Sequence, residues 1–202
     1  DLSEAVVSDS DLDGADLEAA VVDATRLEHS ELRELTAADA TLADTAISDC
    51  LLTGSDLSGT TLDGVDIEES TLDAIDLSGA TLTGCTLTDC SCITADLSSV
   101  ELGETWLDGV VFRGARFAAS DLQAVTIEES DGRETTFTDA ALDDVLCSGT
   151  LLRATRFADV DAGDLRFEAV DLTDATLERV RIDGLTAEEI GRASCRERVC
   201  VG

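Results

Sequence analysis

Ile75-Asp76-Leu77-Ser78-Gly79-Ala80-Thr81-Leu82-Thr83-Gly84-Cys85-Thr86-Leu87 places leucines at 77, 82 and 87, and that five-residue interval governs the chain. It runs back through Leu72, Ile67 and Leu62 to Leu2, and forward to Leu172, Leu177 and Ile182. Of the 38 positions from Leu2 to Ala187 in this frame, 32 are Val, Ile, Leu or Phe. All five phenylalanines (Phe112, Phe117, Phe137, Phe157, Phe167) fall on it. A helix repeats every 3.6 residues and a strand every 2, so neither keeps such a column facing one core. The chain must turn every five residues, which makes it a solenoid.

The position two before each large residue is also inward in character and mostly small: Ala5, Ser10, Ala15, Ala20, and later Cys85, Cys90, Ala95. Residues two apart in an extended segment share a face, so each unit points one small and one large side chain inward. The other three positions are rich in Asp, Glu, Thr, Ser and Gly. Ten of the fifteen glycines, Gly14, Gly54 and Gly79 among them, sit two after the large residue, where a corner needs an unhindered backbone.

Ala15-Asp16-Leu17, Ala95-Asp96-Leu97, Ser55-Asp56-Leu57 and Ile75-Asp76-Leu77 resemble the Ala-Asp/Asn-Leu-x-x pattern of the pentapeptide-repeat family. The resemblance covers residues 1–187 and implies an all-β fold, a right-handed quadrilateral parallel β-helix with four units, or twenty residues, per coil. About nine coils follow. Phe117, Phe137 and Phe157 then stack in one column, and Arg-Phe-Ala recurs at 116 and 156. Asp-Ala-Thr-Leu at 39 and 174 recurs at a multiple of five that is not a multiple of twenty. At strand spacing such a rod is roughly 45 Å long. Six frame positions depart from the rule: Ala37, Cys92, Gly132, Cys147, Ala162 and Ala187. Leu35, a large residue in the small slot, compensates for Ala37. Gly132 reads either as a bulge or cavity, or as a tolerated gap in the column.

The chain has no methionine and begins in mid-repeat, which reads as a solenoid cut at both ends. The repeat domain is assigned to 1–188. From Glu189 the beat stops, and Glu189-Ile190-Gly191-Arg192-Ala193-Ser194-Cys195-Arg196-Glu197-Arg198-Val199 resembles the translation of a sequencing adapter. Residues 189–202 are therefore read as a non-native tail, and Cys195 and Cys200 carry no motif. Open coil ends invite end-to-end association, and the family often dimerises through a C-terminal element.

Asp and Glu number 45 against 13 Arg, giving a net charge of −32, and Lys, Asn, Tyr and Pro are absent. Strong acidity without lysine resembles proteins of salt-loving archaea, where molar salt screens self-repulsion. No run of eighteen apolar residues spans a membrane. Cys50, Cys85, Cys90, Cys92 and Cys147 take inward slots as small apolar fillers, which fits a reducing cytoplasm, and Cys90-x-Cys92 lacks zinc-ligand spacing. Catalysis has little material: the single His29 faces outward, and carboxylates abound without a pocket to desolvate one. Neither a phosphate loop nor a basic-aromatic patch for direct nucleic-acid binding is present. The sequence points to no cofactor or metal, and to a non-catalytic rod that binds a protein.

Two surfaces are candidates. Sixteen acids and no basic residue lie between Glu34 and Phe112. At twenty residues per coil, Glu28, Glu68, Asp108, Glu128 and Glu168 share a column, with Asp49, Glu69, Asp89 and Glu129 beside it. Asp16, Asp56, Asp76 and Asp96 form another. Stripes of this kind resemble the charge of a DNA duplex. In the family, members that protect DNA gyrase from fluoroquinolones act as DNA mimics, so the resemblance implies gyrase as the alternative partner. The second candidate groups Trp106, Val111, Leu146 and Leu151 with an arginine ladder, Arg113, Arg133 and Arg153, whose mutual repulsion asks for acids such as Asp131 and Glu134 nearby.

Overall fold

Each triplet centred on a large apolar residue is short enough to be one wall of a coil, and the chain uses it that way throughout. The computed structural model describes residues 2–188, together with two short strands, Ser194–Cys195 and Cys200–Val201. It is a four-sided parallel β-solenoid of about nine coils. Wall one carries Val22 and its equivalents every twenty residues, wall two Leu27, wall three Leu32 and wall four Ala37. The twenty-residue step is uniform: Val21 pairs with Thr41, Leu107 with Ile127, and Phe137 with Phe157. Walls one and two are ten-stranded parallel sheets, and a five-stranded sheet forms the later part of wall four.

The tail assigned to 189–202 lies outside the described residues apart from its two strands. Ser194 pairs with Thr176 and Cys200 with Arg181, steps of 18 and 19 residues in place of twenty, so the register is lost where the apolar beat is lost.

The corner reading holds at every coil. All ten glycines two after a large residue have positive φ, and 27 other residues at the same slot adopt it too. Wall three and the first part of wall four turn more tightly than strands. There the amide three residues on donates to the carbonyl of the large residue, as in Ala15 N to Leu12 O and Ala80 N to Leu77 O, both 3.0 Å. A positive φ at the third turn position is the type II pattern. The aspartates of the Ala-Asp-Leu units brace these turns: Asp56 Oδ1 accepts from Ser58 N at 3.0 Å, Asp76 Oδ1 from Ser78 N at 2.9 Å and Asp96 Oδ1 from Ser98 N at 3.0 Å. Such Asx turns satisfy the backbone locally. Wall four becomes a strand at Arg116–Ala118, where Arg116 and Thr136 succeed those aspartates and the phenylalanine column begins. Phe117, Phe137 and Phe157 stack with centroids 4.7 and 5.1 Å apart.

The core is a pile of rings. Its small slot holds buried Thr, Ser and Cys whose hydroxyls and thiols bridge coils. Thr45, Thr105 and Thr150 each donate to the carbonyl 23 residues back, at 3.1, 3.4 and 3.1 Å, and to the carbonyl two residues back. Cys90 makes the same pair of contacts, to Ile67 O at 3.4 Å and Thr88 O at 3.3 Å. The five cysteines of the coils, Cys50, Cys85, Cys90, Cys92 and Cys147, are free and buried, and burial pushes the Cys90 thiol up to about 11 and Cys147 up to about 12.

Five of the six frame-breaking residues fall into two groups, and the sixth, Ala187, is exposed at the end of the described coils. Leu35 is buried two residues before Ala37, and Phe112 leans over Gly132, filling that gap from within. A methyl group on Gly132 would lie 2.5 Å from Phe112 Cζ and 2.9 Å from Leu152 Cδ2. Its backbone stays in register, with Gly132 N donating to Leu151 O at 2.8 Å, so the bulge or cavity considered for Gly132 is absent: a neighbouring ring takes the space. Cys92, Cys147 and Ala162 have no such helper. Each lines a separate wholly apolar void, of about 30, 20 and 20 Å³ respectively.

Candidate partner-binding surface

On wall two, each strand points its first and third residues outward and passes into a corner one residue later. The third residues form the column Glu28, Ser48, Glu68, Thr88, Asp108, Glu128, Ser148, Glu168, paired rung to rung. The corner column beside it holds Asp49, Glu69, Asp89 and Glu129, all at positive φ. The nine acids selected from the sequence thus lie on one strip, along wall two and the corner it shares with wall three.

Among the described residues, basic side chains pair with this strip only near its beginning. Arg26 Nε lies 3.2 Å from Glu28 Oε1, and His29 Nε2 lies 3.4 Å from Asp49 Oδ2. From Glu68 to Glu168, none of the strip's acids makes an ion pair among the described residues. Asp49, Glu68, Glu69, Asp89, Asp108, Glu128 and Glu129 fall within five coils, about 24 Å of rod, or one carboxylate per ~3.4 Å. The column then breaks at Ser148-Gly149 before Glu168. Corner acids lean over the glycine that follows them one coil later: a methyl on Gly109 would meet Asp89 Oδ1 at 2.5 Å. The Asp16, Asp56, Asp76 and Asp96 column stands apart on wall four, where its carboxylates are engaged in the Asx turns.

The second candidate is divided by the solenoid. Trp106 (47% exposed) and Leu146 belong to wall two, while Val111, Leu151 (39% exposed) and the arginines belong to wall three. The acidic strip runs between the two groups. Sequence separation of five hides this division, because it places residues on adjacent walls. Within wall three the arginine ladder does find its acid. Arg133 Nε and Nη2 donate to Asp131 Oδ1 and Oδ2 at 2.8 and 2.7 Å, and Arg113 Nε lies 3.4 Å from the same carboxylate. Arg153 Nε lies 3.6 Å from Asp171. The Arg133 hydrogen bonds hold the Asp131 carboxyl below the usual aspartate range, with Arg113 adding to the effect. Glu134 makes no ion pair with these arginines among the described residues; it occupies the corner, with φ at 62°.

Asp11, Asp13 and Glu31 form a carboxylate triad with ligand atoms within 4.8 Å of one another. Arg33 lies in its midst: Nη1 donates to Asp13 Oδ2 at 3.0 Å and also to Glu31. A guanidinium already meets that charge.

Eight copies of the pentapeptide-repeat model match residues 38–73 and 75–114, the stretch with the most regular column. Residues 38–73 and 75–114 carry pentapeptide repeats. The solved pentapeptide-repeat protein HetL, involved in heterocyst differentiation regulation in the cyanobacterium Nostoc sp. strain PCC 7120, superimposes with a TM-score of 0.72 at 22% identity, over 94% of this chain and 86% of HetL. A trypsin-treated variant of QnrB1, a plasmid-mediated fluoroquinolone resistance protein, superimposes at 0.53 and 15% identity, over 92% of this chain and 88% of its own. At these identities the likeness concerns the fold. No curated protein matches the chain in sequence. None of the helices a membrane span requires is present among the described residues.

Proposed function

We propose that this chain is a non-catalytic protein-binding rod, and that its acidic strip along wall two is the face a partner engages. The observation that carries the reading is the strip from Asp49 to Glu129, seven carboxylates that pair with no arginine among the described residues, on a rod whose other described arginines, Arg116 apart, are paired with acids elsewhere. Pairing would have been available, since Arg26 reaches Glu28 on the same wall. The partner is a protein with a basic groove.

A second reading makes that groove one that normally holds DNA. One carboxylate per ~3.4 Å matches the axial spacing of phosphates along one DNA strand, also about 3.4 Å. The family resemblance then makes a type II topoisomerase, DNA gyrase, the first partner to test. The competing explanation is that the acidity is adaptation to concentrated salt, with no partner selecting it.

The test is inhibition of gyrase supercoiling by the full chain in potassium chloride at graded concentration. Its control is the variant Glu68→Gln, Glu69→Gln, Asp89→Asn and Asp108→Asn. Trp106, the only tryptophan, shares a strand with Asp108 and stands exposed, so its emission reports occupation of the strip directly. Inhibition and a blue shift with the parent, both lost in the amide variant, support the mimic reading. A shift with a basic protein other than gyrase supports the binding rod but not the mimic. A folded parent that gives neither response leaves the acidity to salt adaptation.

A further inference from the structure

We infer that wall three is a self-association face, through which two copies of this chain pack side by side with their axes parallel. Wall three differs from the others in its charge. Its outward positions hold four arginines against six carboxylates, a net of −2, whereas the outward positions of walls one, two and four sum to −6, −5 and −4. It is therefore the wall on which a second strongly acidic rod meets the least repulsion. It also carries four outward apolar side chains, Leu51, Val111 and Leu151 in one column and Ile93 in the other, of which Leu151 is exposed and the others half-buried.

The order of charges across the wall selects one arrangement. Its outward residues form two columns on either side of the buried Leu32 column. At two levels the first column carries an acid and the second an arginine of the same coil: Glu31 with Arg33, and Asp131 with Arg133. A two-fold axis parallel to the rod exchanges the two columns while keeping each coil level with its counterpart. Glu31 then faces the second copy's Arg33, and Asp131 its Arg133, each forming a closed quartet of alternating charge. Leu51 faces Thr53, and Leu151 and Val111 face the aliphatic stems of Arg153 and Arg113. A two-fold axis across the rod would instead lay the arginine column on itself. Both copies share the same rung spacing, so the coils stay level along the whole length; only at the first coil, where Asp11 meets the second copy's Asp13, does acid face acid. About 43 Å by roughly 12 Å per copy would bury on the order of 1,000 Å² in total, the lower end for a specific interface, so the dimer is a weak one.

Sedimentation equilibrium of the full chain, at an ionic strength that screens the net repulsion, is the first measurement. The parent should show a concentration-dependent dimer, and Leu51→Glu with Leu151→Glu should weaken it at least ten-fold. One chain carrying Glu31→Arg and Asp131→Arg, and another carrying Arg33→Glu and Arg133→Glu, should each be monomeric alone and dimerise when mixed. Circular dichroism establishes that each variant is folded. Independently of those substitutions, a photo-crosslinking residue at Thr71, in the first outward column, should join the second copy at its second outward column on the same coil, around Asp73. A parent that stays monomeric, a dimer indifferent to the leucine and charge variants, or a dimer that Thr71 cannot crosslink would each overturn the proposal.

Discussion

Gly79 and Gly132 are both glycines on a repeat, yet they are glycine for different reasons. Gly79 sits at a corner with φ +69° and open space around its Cα, so Gly79→Ala meets only the left-handed backbone penalty, about 1 kcal/mol. Gly132 has ordinary backbone but lies under the Phe112 ring, so Gly132→Ala costs roughly 1–3 kcal/mol through overpacking. Urea unfolding should show the second loss reduced by Phe112→Leu and the first unaffected by it; equal responses would refute the distinction. Asp131 is the titratable group whose role is clearest. Its carboxyl is held below the unfolded value by Arg133, so its contribution is complete above about pH 4 and fades as pH falls through the folded value. The midpoint difference between the parent and Asp131→Asn should therefore shrink on acidification below about pH 4, and a constant difference from about pH 6 to about pH 2 would contradict the assignment.

The coil is the element of this fold, and its defects are local. Phe112 reaches over Gly132 and Leu35 is buried two residues from Ala37, while Cys92 faces a gap of about 30 Å³. At ~24 cal/mol per Å³, filling it is worth about 0.7 kcal/mol, so Cys92→Val should raise stability by that order. Calorimetry showing a loss instead would mean the void is too narrow for a branched side chain. The same element explains why the Ala-Asp-Leu pattern is dense in wall four and sparse on wall two. In a type II turn the aspartate has a nearby amide to receive, whereas in a strand the next coil takes it. Wall three keeps its turns even where Leu51 or Val111 replaces the acid, so the carboxylate braces a turn that the stack already imposes.

At the scale of the molecule, a rod bearing −32 should be strengthened by salt until its charges are screened. In 1 M salt the Debye length is about 3 Å, shorter than the rung spacing, so the unfolding midpoint should rise between about 0.1 and 1 M potassium chloride. The rise should be smaller in the amide variant of the strip, and a midpoint that falls would show that paired charges outweigh unpaired ones. Nearest-neighbour stacking also makes the losses at Gly79 and Gly132 additive, because they lie more than two coils apart.

The repeat alone determined a great deal. A large apolar residue every fifth position admits no helix and no flat strand, and the phenylalanines three coils deep at twenty-residue spacing pointed to four walls. The two adjacent columns that hold the nine acids were legible for the same reason: in a solenoid of constant period, sequence separation is spatial address. What the period could not state is which of two neighbouring columns share a wall. Trp106 and Val111 are five residues apart and stand on different walls, with the acidic strip between them. Nor could it show that Phe112 fills the space of Gly132, or that Asp131 serves Arg113 and Arg133 at once. Those depend on where a side chain leans between rungs, and only stacking one coil on the next decides that.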